Sequence, residues 1–350
     1  MQQLISNVLP LAGTLLVAIL VFGFVIFFHE LGHFLTAKLS GIRVLEFAIG
    51  MGPTLFSRER GGTKYAIRLL PVGGFVMMEG EDEESDSMDS FSRAPVGSRL
   101  LVTAAGAFMN FVLGFLVLIV VVAMQDSITS RTVAEFYPDA TTQQSGLQVG
   151  DTIIAVNGRR CFIADDVSYE FARTQDAQAD LTVLRDGEKI TLEDVQFDTA
   201  EQDGTEYMII DFLVYPIEKT PLNVLREAGN WTLSYARLVL LSFVDLVTGR
   251  AAINDLSGPV GIVTVIGQVS AIGLSPLLQL VALLTINLGI FNLLPIPALD
   301  GGRLFFLIVE AIRRKPIDPK YEIAVNSAGF VLLIGLMLFA TFNDITRLIQ

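Results

Sequence analysis

Four long apolar segments divide the chain and predict four membrane-spanning helices. The first runs from Leu9 to Phe28 without a charged residue, and about 20 such residues are enough to cross the hydrocarbon layer as a helix. The other three cover about Leu100–Met124, Leu277–Leu294 and Ile323–Phe342. A cleaved signal peptide is the alternative for the first segment, but no positively charged residue precedes it. The pattern predicts a multi-pass α-helical membrane protein.

Between the first two segments the pattern changes to short β-like stretches. Tyr65–Leu70 and Gly74–Met78 have β-strand character, and Gly61-Gly62 forms a candidate turn after Pro53–Phe56. We therefore predict a membrane-associated β-hairpin or small sheet that could pair with an extended peptide. The alternative is an ordinary cytoplasmic loop.

Residues 126–216 have the composition of a small globular domain rich in β-branched residues. Asn157-Gly158 and Asp186-Gly187 are dipeptides typical of tight hairpin turns. We therefore predict three parts: residues 1–125 with two spans and the β loop, residues 126–216 as an inserted β-rich domain, and residues 217–350 with the last two spans. In the third part, Trp231–Val247 carries Arg237 and Asp245 in a mostly apolar stretch, which favours an interfacial helix over a fifth span.

Composition and charge agree with a membrane protein. Hydrophobic residues make up 52% of the chain and charged residues 17%, and the mean hydropathy is +0.56. The net charge of −13 argues against nucleic acid as a partner. Part of it comes from the acidic run Glu79–Asp89, which we interpret as a solvated linker. Cys161 is the only cysteine, so no internal disulfide can form.

Lysine and arginine positions predict the orientation in the membrane, because cytoplasmic loops carry the excess of positive charge. Eight basic residues lie between the first two spans and five between the last two: Lys38, Arg43, Arg58, Arg60, Lys64, Arg68, Arg93 and Arg99, then Arg303, Arg313, Arg314, Lys315 and Lys320. Both termini and the β-rich domain are then predicted outside the cell membrane, with the end of the first span near the cytoplasm.

The only two histidines of the chain lie four residues apart at that end, in His29-Glu30-Leu31-Gly32-His33. On a helix, residues i and i+4 share a face about 6 Å apart, so both imidazoles can bind one metal ion while Glu30 lies beside it as a general base. The alternative is a helix end whose polar residues reach toward water.

A third ligand has to come from another residue type, because no histidine remains. Glu46 is the nearest downstream carboxylate, but it lies in a short loop. Asp300 is the better candidate, because Pro295 and Pro297 break the third apolar segment and leave a carboxylate at membrane depth, where such groups are usually functional. The alternative is that Asp300 only caps the following helix.

These motifs together resemble the site-2 protease family of intramembrane zinc metalloproteases. The resemblance rests on HELGH at residues 29–33 and NLLPIPALDGG at residues 292–302, and it extends to FAIGMGP, PVGGFV and GPVGI at residues 47–53, 71–76 and 258–262. It is close to the bacterial branch that includes the sigma-E regulator protease, in a short form with one PDZ domain rather than two. The PDZ part is similar to the core signature of that domain over residues 145–158.

The resemblance implies a role for each motif residue. It implies that His29, His33 and Asp300 bind Zn2+, that Glu30 is catalytic and that Asn292 lies near the substrate or the transition state. The family often has Gly-Pro-x-x-Asn in span two, whereas this chain reads Gly106-Ala107-Phe108-Met109-Asn110. Asn110 is therefore carried as a substrate contact only.

The resulting hypothesis is an intramembrane zinc metalloendopeptidase that cleaves single-span membrane proteins in regulated intramembrane proteolysis, such as anti-sigma factor cleavage. The lipid bilayer, these substrates and a peptide bound by the PDZ domain are the expected partners. A β-rich spacer without a ligand, acting as a barrier to bulky substrates, is the alternative for that domain. A PDZ-bearing membrane scaffold or chaperone with a structural metal site is the alternative for the whole protein.

Overall fold

The computed structural model describes residues 2–81, 85–174, 176–202, 205–315 and 317–349. The chain forms two compact units, one of Met1–Val117 with Leu238–Gln350 and the other of Leu118–Arg237. The second unit is longer at both ends than the β-rich domain expected at residues 126–216, because it includes the end of one helix and the start of another. Residues 82–84 of the acidic run lie outside the described part of the chain.

Helices and strands alternate along the chain. The helices are α1 (Gln2–Leu39), α2 (Val96–Met124), α3 (Thr141–Gln144), α4 (Ala164–Ala172), α5 (Pro221–Val247), α6 (Pro259–Ile272), α7 (Leu274–Phe291), α8 (Asp300–Arg313) and α9 (Pro319–Ile349). The strands are β1 (Val44–Arg60), β2 (Thr63–Met78), β3 (Ile128–Phe136), β4 (Thr152–Val156), β5 (Arg159–Arg160), β6 (Gln178–Arg185), β7 (Glu188–Gln196), β8 (Thr199–Gln202), β9 (Thr205–Met208) and β10 (Phe212–Ile217).

Four helices in the described residues are long and apolar enough to cross a membrane, in agreement with the four apolar segments of the sequence. The candidate spans are Leu11–Leu39, Val96–Met124, Leu274–Phe291 and Lys320–Arg347. The first helix continues past the apolar segment, so the two histidines lie within it rather than after it. The third ends at Phe291, three residues earlier than expected, and Pro295 follows in a non-helical turn.

The predicted hairpin is present. Its two strands are so long that β1 pairs with two different parts of β2. Gly61 and Gly62 form its turn with φ of 59° and 73°, a backbone conformation that glycine adopts without steric cost. Residue 46 of β1 is paired with Lys64 on one side and with Met77 on the other. The strands therefore fold into four adjacent segments in the order 74–78, 44–49, 63–70 and 54–60.

The first unit also contains α6, a 14-residue apolar helix that the sequence did not predict as an element. It is too short to cross a hydrocarbon layer of about 30 Å. Buried Asp344 of α9 accepts hydrogen bonds from the backbone N–H groups of Gly258 and Gly261 at 3.2 and 2.7 Å. The carboxylate thus satisfies amide groups at the start of α6 that a helix leaves without partners.

The second unit contains a sheet in the order β10-β3-β4-β6-β7, with β5 paired to β4. Its hydrophobic core includes Leu147, Ile153, Leu181 and Val183, all at most 1% exposed. Both predicted hairpin turns are present at residues 157–158 and 186–187, where all four residues have positive φ. The unit is a β-rich domain with its own core, and its assignment as a PDZ domain stays a prediction.

Helix α5 begins at Pro221, ten residues before the predicted Trp231. Its Arg237 donates hydrogen bonds to Asp166 and Glu170 of α4 at 2.9 and 2.8 Å, within the second unit. All three side chains are largely buried, with 13%, 6% and 3% exposure. The arginine therefore attaches the first part of α5 to the domain, while the interfacial position of this helix in the membrane stays a prediction.

Candidate metal centre

Three predicted ligand residues meet at one point in the first unit. Nε2 of His29 and Nε2 of His33 lie 3.2 Å apart. The Oδ2 atom of Asp300 lies 3.3 Å from the first and 3.2 Å from the second. The helix α1 thus supplies two nitrogen atoms and the start of α8 supplies one oxygen atom.

The spacing of these atoms fits a zinc ion. Zinc binds nitrogen and oxygen ligands at about 2.0–2.2 Å in a tetrahedral arrangement, which places its ligands about 3.3–3.5 Å apart. The three observed distances of 3.2, 3.2 and 3.3 Å are close to that separation. A His2Asp set also leaves the fourth tetrahedral position open, as catalytic zinc sites do.

The second nitrogen of His33 fixes the role of the first. Its Nδ1 lies 2.9 Å from the carbonyl oxygen of Val102, which can only accept a hydrogen bond. Nδ1 therefore carries the proton, and Nε2 of the neutral imidazole presents a lone pair toward Asp300. The three atoms are therefore arranged to share one metal ion, and a backbone carbonyl that orients a metal-binding histidine in this way is a common feature of metal sites.

Asn110 of α2 plays the same part for His29. Its side-chain amide nitrogen lies 3.1 Å from Nδ1 of His29, and Asn110 is completely buried. Its Oδ1 has no partner among the described residues. Exchanging the amide oxygen and nitrogen lets Oδ1 accept from Nδ1–H, which leaves Nε2 free for a metal. The predicted substrate contact of Asn110 stays a prediction, and the partner observed for it is a proposed metal ligand.

Two glycines allow α1 and α2 to approach each other at the centre. A Cβ atom at Gly32 would lie 2.3 Å from the carbonyl oxygen of Ala105. A Cβ atom at Gly106 would lie 2.2 Å from Nε2 of His33 and 2.7 Å from Cε1 of His29. No real side chain tolerates such distances, so the space in front of both imidazoles exists only because residue 106 is glycine.

The turn between α7 and α8 delivers Asp300. Ala298 has φ of 70°, a conformation that is rare and unfavourable for a non-glycine residue. Its N–H donates to Oδ1 of Asn326 in α9 at 3.2 Å, which holds the turn in place. A Cβ atom at Gly301 would lie 1.7 Å from the carbonyl oxygen of Leu294, so the glycine after Asp300 lets α8 start against the preceding loop.

Glu30 lies beside the outer segment 74–78 of the hairpin sheet. A Cβ atom at Gly74 would contact the Cγ atom of Glu30 at 3.2 Å. Glu30, Phe75 and Val76 line a cavity of about 150 Å³ together with the three ligand residues. Segment 74–78 pairs with 44–49 on one side, and its other edge has no strand partner in the described chain.

Arg303 is a residue of the site that motif reasoning missed. It lines the same cavity as Asp300 and donates a 2.6 Å hydrogen bond to Glu81. Its guanidinium also lies 4.9 Å from the ring centre of Phe91. Glu81 is thus an exception to the predicted solvated linker, because it joins the acidic run to the metal centre. In the sequence, only the position of Arg303 one helical turn after Asp300 could have indicated that Arg303 lies at the metal centre.

A second cavity of about 500 Å³ shares Glu81, Asp300 and Arg303 with the first. Its remaining lining comes from the turn before α8 and from α9, and includes Glu322, Asn326 and Ser327. The polar residues of the fourth span thus face a cavity next to Asp300. This gives a physical reason for their presence in an apolar helix.

Glu46, the less favoured candidate for the third metal ligand, forms ion pairs with two basic residues instead. It lies in β1 and forms ion pairs with Arg68 at 2.6 Å and Lys64 at 3.3 Å. Burial raises the pKa of Glu46, but the hydrogen bonds and charges of Arg68 and Lys64 lower it by more than burial raises it. The pKa of Glu46 is therefore below its ordinary value. Asn292 is buried directly after α7, and its predicted role toward the substrate stays a prediction.

Known proteins resemble the chain over almost its whole length. The family pattern described as peptidase family M50 matches residues 17–336. A Clostridium perfringens protein named as a zinc metalloprotease is 39% identical over 333 residues, covering 94% of this chain and 97% of that protein. The regulator of sigma-W protease RasP of Bacillus subtilis is 33% identical over 419 aligned positions, covering 96% and 99%. Zinc metalloprotease RasP of Bacillus licheniformis is also 33% identical, with the same coverage.

Proposed function

The chain belongs to peptidase family M50 and is a zinc metalloprotease of the site-2 type, and we propose that it hydrolyses peptide bonds in or near the transmembrane segments of single-span membrane proteins. The observation that carries this proposal is the meeting of His29, His33 and Asp300 within a chain with four candidate membrane spans. A metal site with two of its three ligands in a candidate membrane span favours a substrate in the membrane. The same reasoning favours a protease over a scaffold or chaperone, because Glu30 would have no task at a purely structural site.

In the proposed mechanism His29, His33 and Asp300 hold the zinc ion. When bound, zinc makes water acidic enough to be deprotonated near neutral pH and polarises a carbonyl group. Glu30 takes the proton of the attacking water and later delivers it to the leaving amine. The cavity of about 150 Å³ that Glu30 lines together with His29, His33 and Asp300 gives water a place beside the base. Asn292 is proposed to hydrogen-bond the substrate backbone or the developing oxyanion.

The hairpin sheet is proposed to hold the substrate in an extended conformation. A helical segment hides its peptide bonds in its own hydrogen bonds, so it has to unwind before hydrolysis. The free edge of segment 74–78 lies along the cavity that contains Glu30, and an extended peptide can add to such an edge as a further strand. The peptide bond would then lie within reach of the general base.

The β-rich unit is proposed to be a single PDZ domain that accepts a peptide segment of the substrate. Support comes from its own hydrophobic core, from the two hairpin turns at residues 157–158 and 186–187, and from the sequence pattern at residues 145–158. Binding of extended peptides with a free carboxylate to the full-length protein, followed by fluorescence polarisation, tests this. If none of these peptides binds, the domain is a spacer and the proposed peptide binding is wrong.

The distribution of positive charge supports a location in the cell membrane with both termini and the β-rich unit outside and the metal centre near the cytoplasm. Cysteine placed at exposed Glu188 or at exposed Glu59 tests this orientation in intact cells. A membrane-impermeant maleimide should label the first variant and not the second. The reverse pattern would overturn the proposed orientation.

Glu30→Gln tests the proposed chemistry. The variant should bind about one zinc ion in detergent and fail to cleave a single-span test substrate, because it keeps the ligands and loses the base. Glu188→Gln, at an exposed site in the β-rich unit, is the matched control and should cleave normally. Unchanged cleavage by Glu30→Gln would refute the role of Glu30. Anti-sigma factors are natural first substrates to test, since a relative is named a regulator of sigma-W protease.

A further inference from the structure

A large apolar cavity lies against the hairpin sheet, and none of the residues assigned above to catalysis lines it. It has a volume of about 750 Å³ and lies between the last turns of α1 and strands β1 and β2, all in the first unit. Its lining is mainly aromatic and aliphatic: Phe34, Phe47, Ile49, Phe56, Tyr65 and Ile67. Its size is within the range of about 300–1,000 Å³ that small-molecule sites occupy in proteins.

Positive charge surrounds this apolar space. Lys38, Arg58 and Arg60 line the same cavity, and all three are exposed. The described lining contains no acidic side chain. No ion pair of these three residues occurs within the described part of the chain, although other basic residues such as Arg68, Arg93 and Arg99 have carboxylate partners. The cavity therefore combines an apolar interior with three cations that lack a protein counterion there.

The position of Lys38 places the cations at the level of the lipid headgroups. Lys38 lies in the last turn of α1, and Glu30 is the only other Asp, Glu, Lys or Arg residue in that helix. A lysine that ends an apolar span marks the membrane interface. The exposed apolar side chains of the hairpin, such as Leu55, Phe56 and Ile67, agree with contact between this sheet and lipid.

From these observations we propose that the cavity binds one acidic phospholipid, with an acyl chain among the aromatic side chains and the phosphate group beside Lys38, Arg58 and Arg60. A zwitterionic lipid would fill the apolar part equally well but would bring its own cation to the three basic residues. The proposal requires a membrane location and does not depend on proteolytic activity.

The lipid would also contact the sheet that lies along the metal centre. Segment 63–67, which lines the cavity, pairs with 44–49, and this segment pairs in turn with 74–78 beside Glu30. A bound lipid would therefore hold the middle of the sheet whose far edge is proposed to receive substrate.

The test measures lipid binding to the full-length, zinc-loaded protein in detergent by native mass spectrometry. Phosphatidylglycerol and phosphatidylcholine with identical acyl chains are titrated separately. Each basic residue near a phosphate should contribute roughly a fivefold preference for the acidic lipid, so wild-type protein should prefer it on the order of a hundredfold. Arg58→Gln with Arg60→Gln should reduce this preference to roughly fivefold. The matched control Arg313→Gln with Arg314→Gln removes two exposed charges outside the cavity and should keep the wild-type preference.

Two further measurements separate the acyl chain from the headgroup. Ile67→Trp should fill the cavity and weaken the binding of both lipids, whereas Leu69→Trp, at a residue with the same 52% exposure outside the cavity lining, should not. Inorganic phosphate at the lipid concentration should not displace phosphatidylglycerol. Equal binding of the two lipids, equal losses in both double variants, or displacement by phosphate alone would each overturn the proposal.

Discussion

The side-chain amide of Asn110 lies 3.1 Å from Nδ1 of His29, although 81 residues separate them in the chain. Through this contact, α2 determines which imidazole nitrogen of α1 faces Asp300. The proposed metal centre therefore depends on the packing of a helix that contributes none of the three proposed ligands.

Replacing Asn110 by alanine should weaken zinc binding. Loss of a residue that orients a metal-binding histidine typically reduces metal affinity by about 10–100-fold. Asn110→Asp should restore most of that affinity, because a carboxylate accepts the same Nδ1–H. Competition with a chelator measures the affinity, and Asn223→Ala in the second unit is the control. A wild-type zinc affinity in Asn110→Ala would show that the contact is structural only.

Gly106→Ala should remove the metal centre. The added Cβ atom would lie 2.2 Å from Nε2 of His33, so the imidazole has to leave its position. Gly97→Ala in the same helix has no atom within 4 Å of the new Cβ and should keep its zinc. Zinc content after gel filtration distinguishes the two variants. If Gly106→Ala retained stoichiometric zinc, the described approach of α1 and α2 would be wrong.

Asp300→Ala should lose zinc even though HELGH is intact. It removes the oxygen atom that lies 3.2–3.3 Å from both imidazole nitrogens, so the loss should exceed the approximately 10–100-fold expected for an orienting residue. Asp318→Ala, at an exposed position before α9, should bind zinc normally. Equal zinc affinity in the two variants would identify Asp300 as a helix cap rather than a ligand.

Arg237→Met should destabilise the second unit by up to about 3 kcal/mol, because it removes the arginine shared by the buried carboxylates of Asp166 and Glu170. The loss is limited because Glu170 keeps its ion pair with Arg159 and Asp166 keeps the hydroxyl of Ser234. Arg226→Met changes an exposed arginine of the same helix and should have little effect. Hydrogen exchange of α4 in the full-length protein reports the loss locally. Protection of α4 equal to wild type would mean that the ion pairs contribute no net stability.

Cys161 should resist alkylation in the folded protein at pH 8. Burial raises the pKa of this thiol to about 12, so the reactive thiolate fraction is on the order of 10⁻⁴. Because the folded state holds this proton more tightly than the unfolded state, the contribution of Cys161 to stability falls as pH rises from about 9 toward 12. Rapid maleimide labelling of native protein at pH 8 would contradict this, and labelling in denaturant is the control.

Local sequence patterns predicted much of this molecule. Apolar length determined the four candidate spans, and i,i+4 spacing placed His29 and His33 on one helical face. The dipeptides Gly61-Gly62 and Asp186-Gly187 determined the hairpin turn of the first unit and a turn of the β-rich unit. Each of these features depends on neighbouring residues, so it can be inferred without knowledge of the fold. Asp300 was inferred because the sequence offers no third histidine.

Tertiary structure alone decided how the metal centre is held. Asn110 and Gly106 contact the histidines, Asn326 fixes the turn before Asp300, and Arg303 reaches Glu81 across 222 residues of chain. No local pattern specifies these partners, because each contact depends on where two separate elements pack and on distances of a few tenths of an ångström. The sequence by itself determined which residue types could form a zinc site, and helix packing determined their geometry.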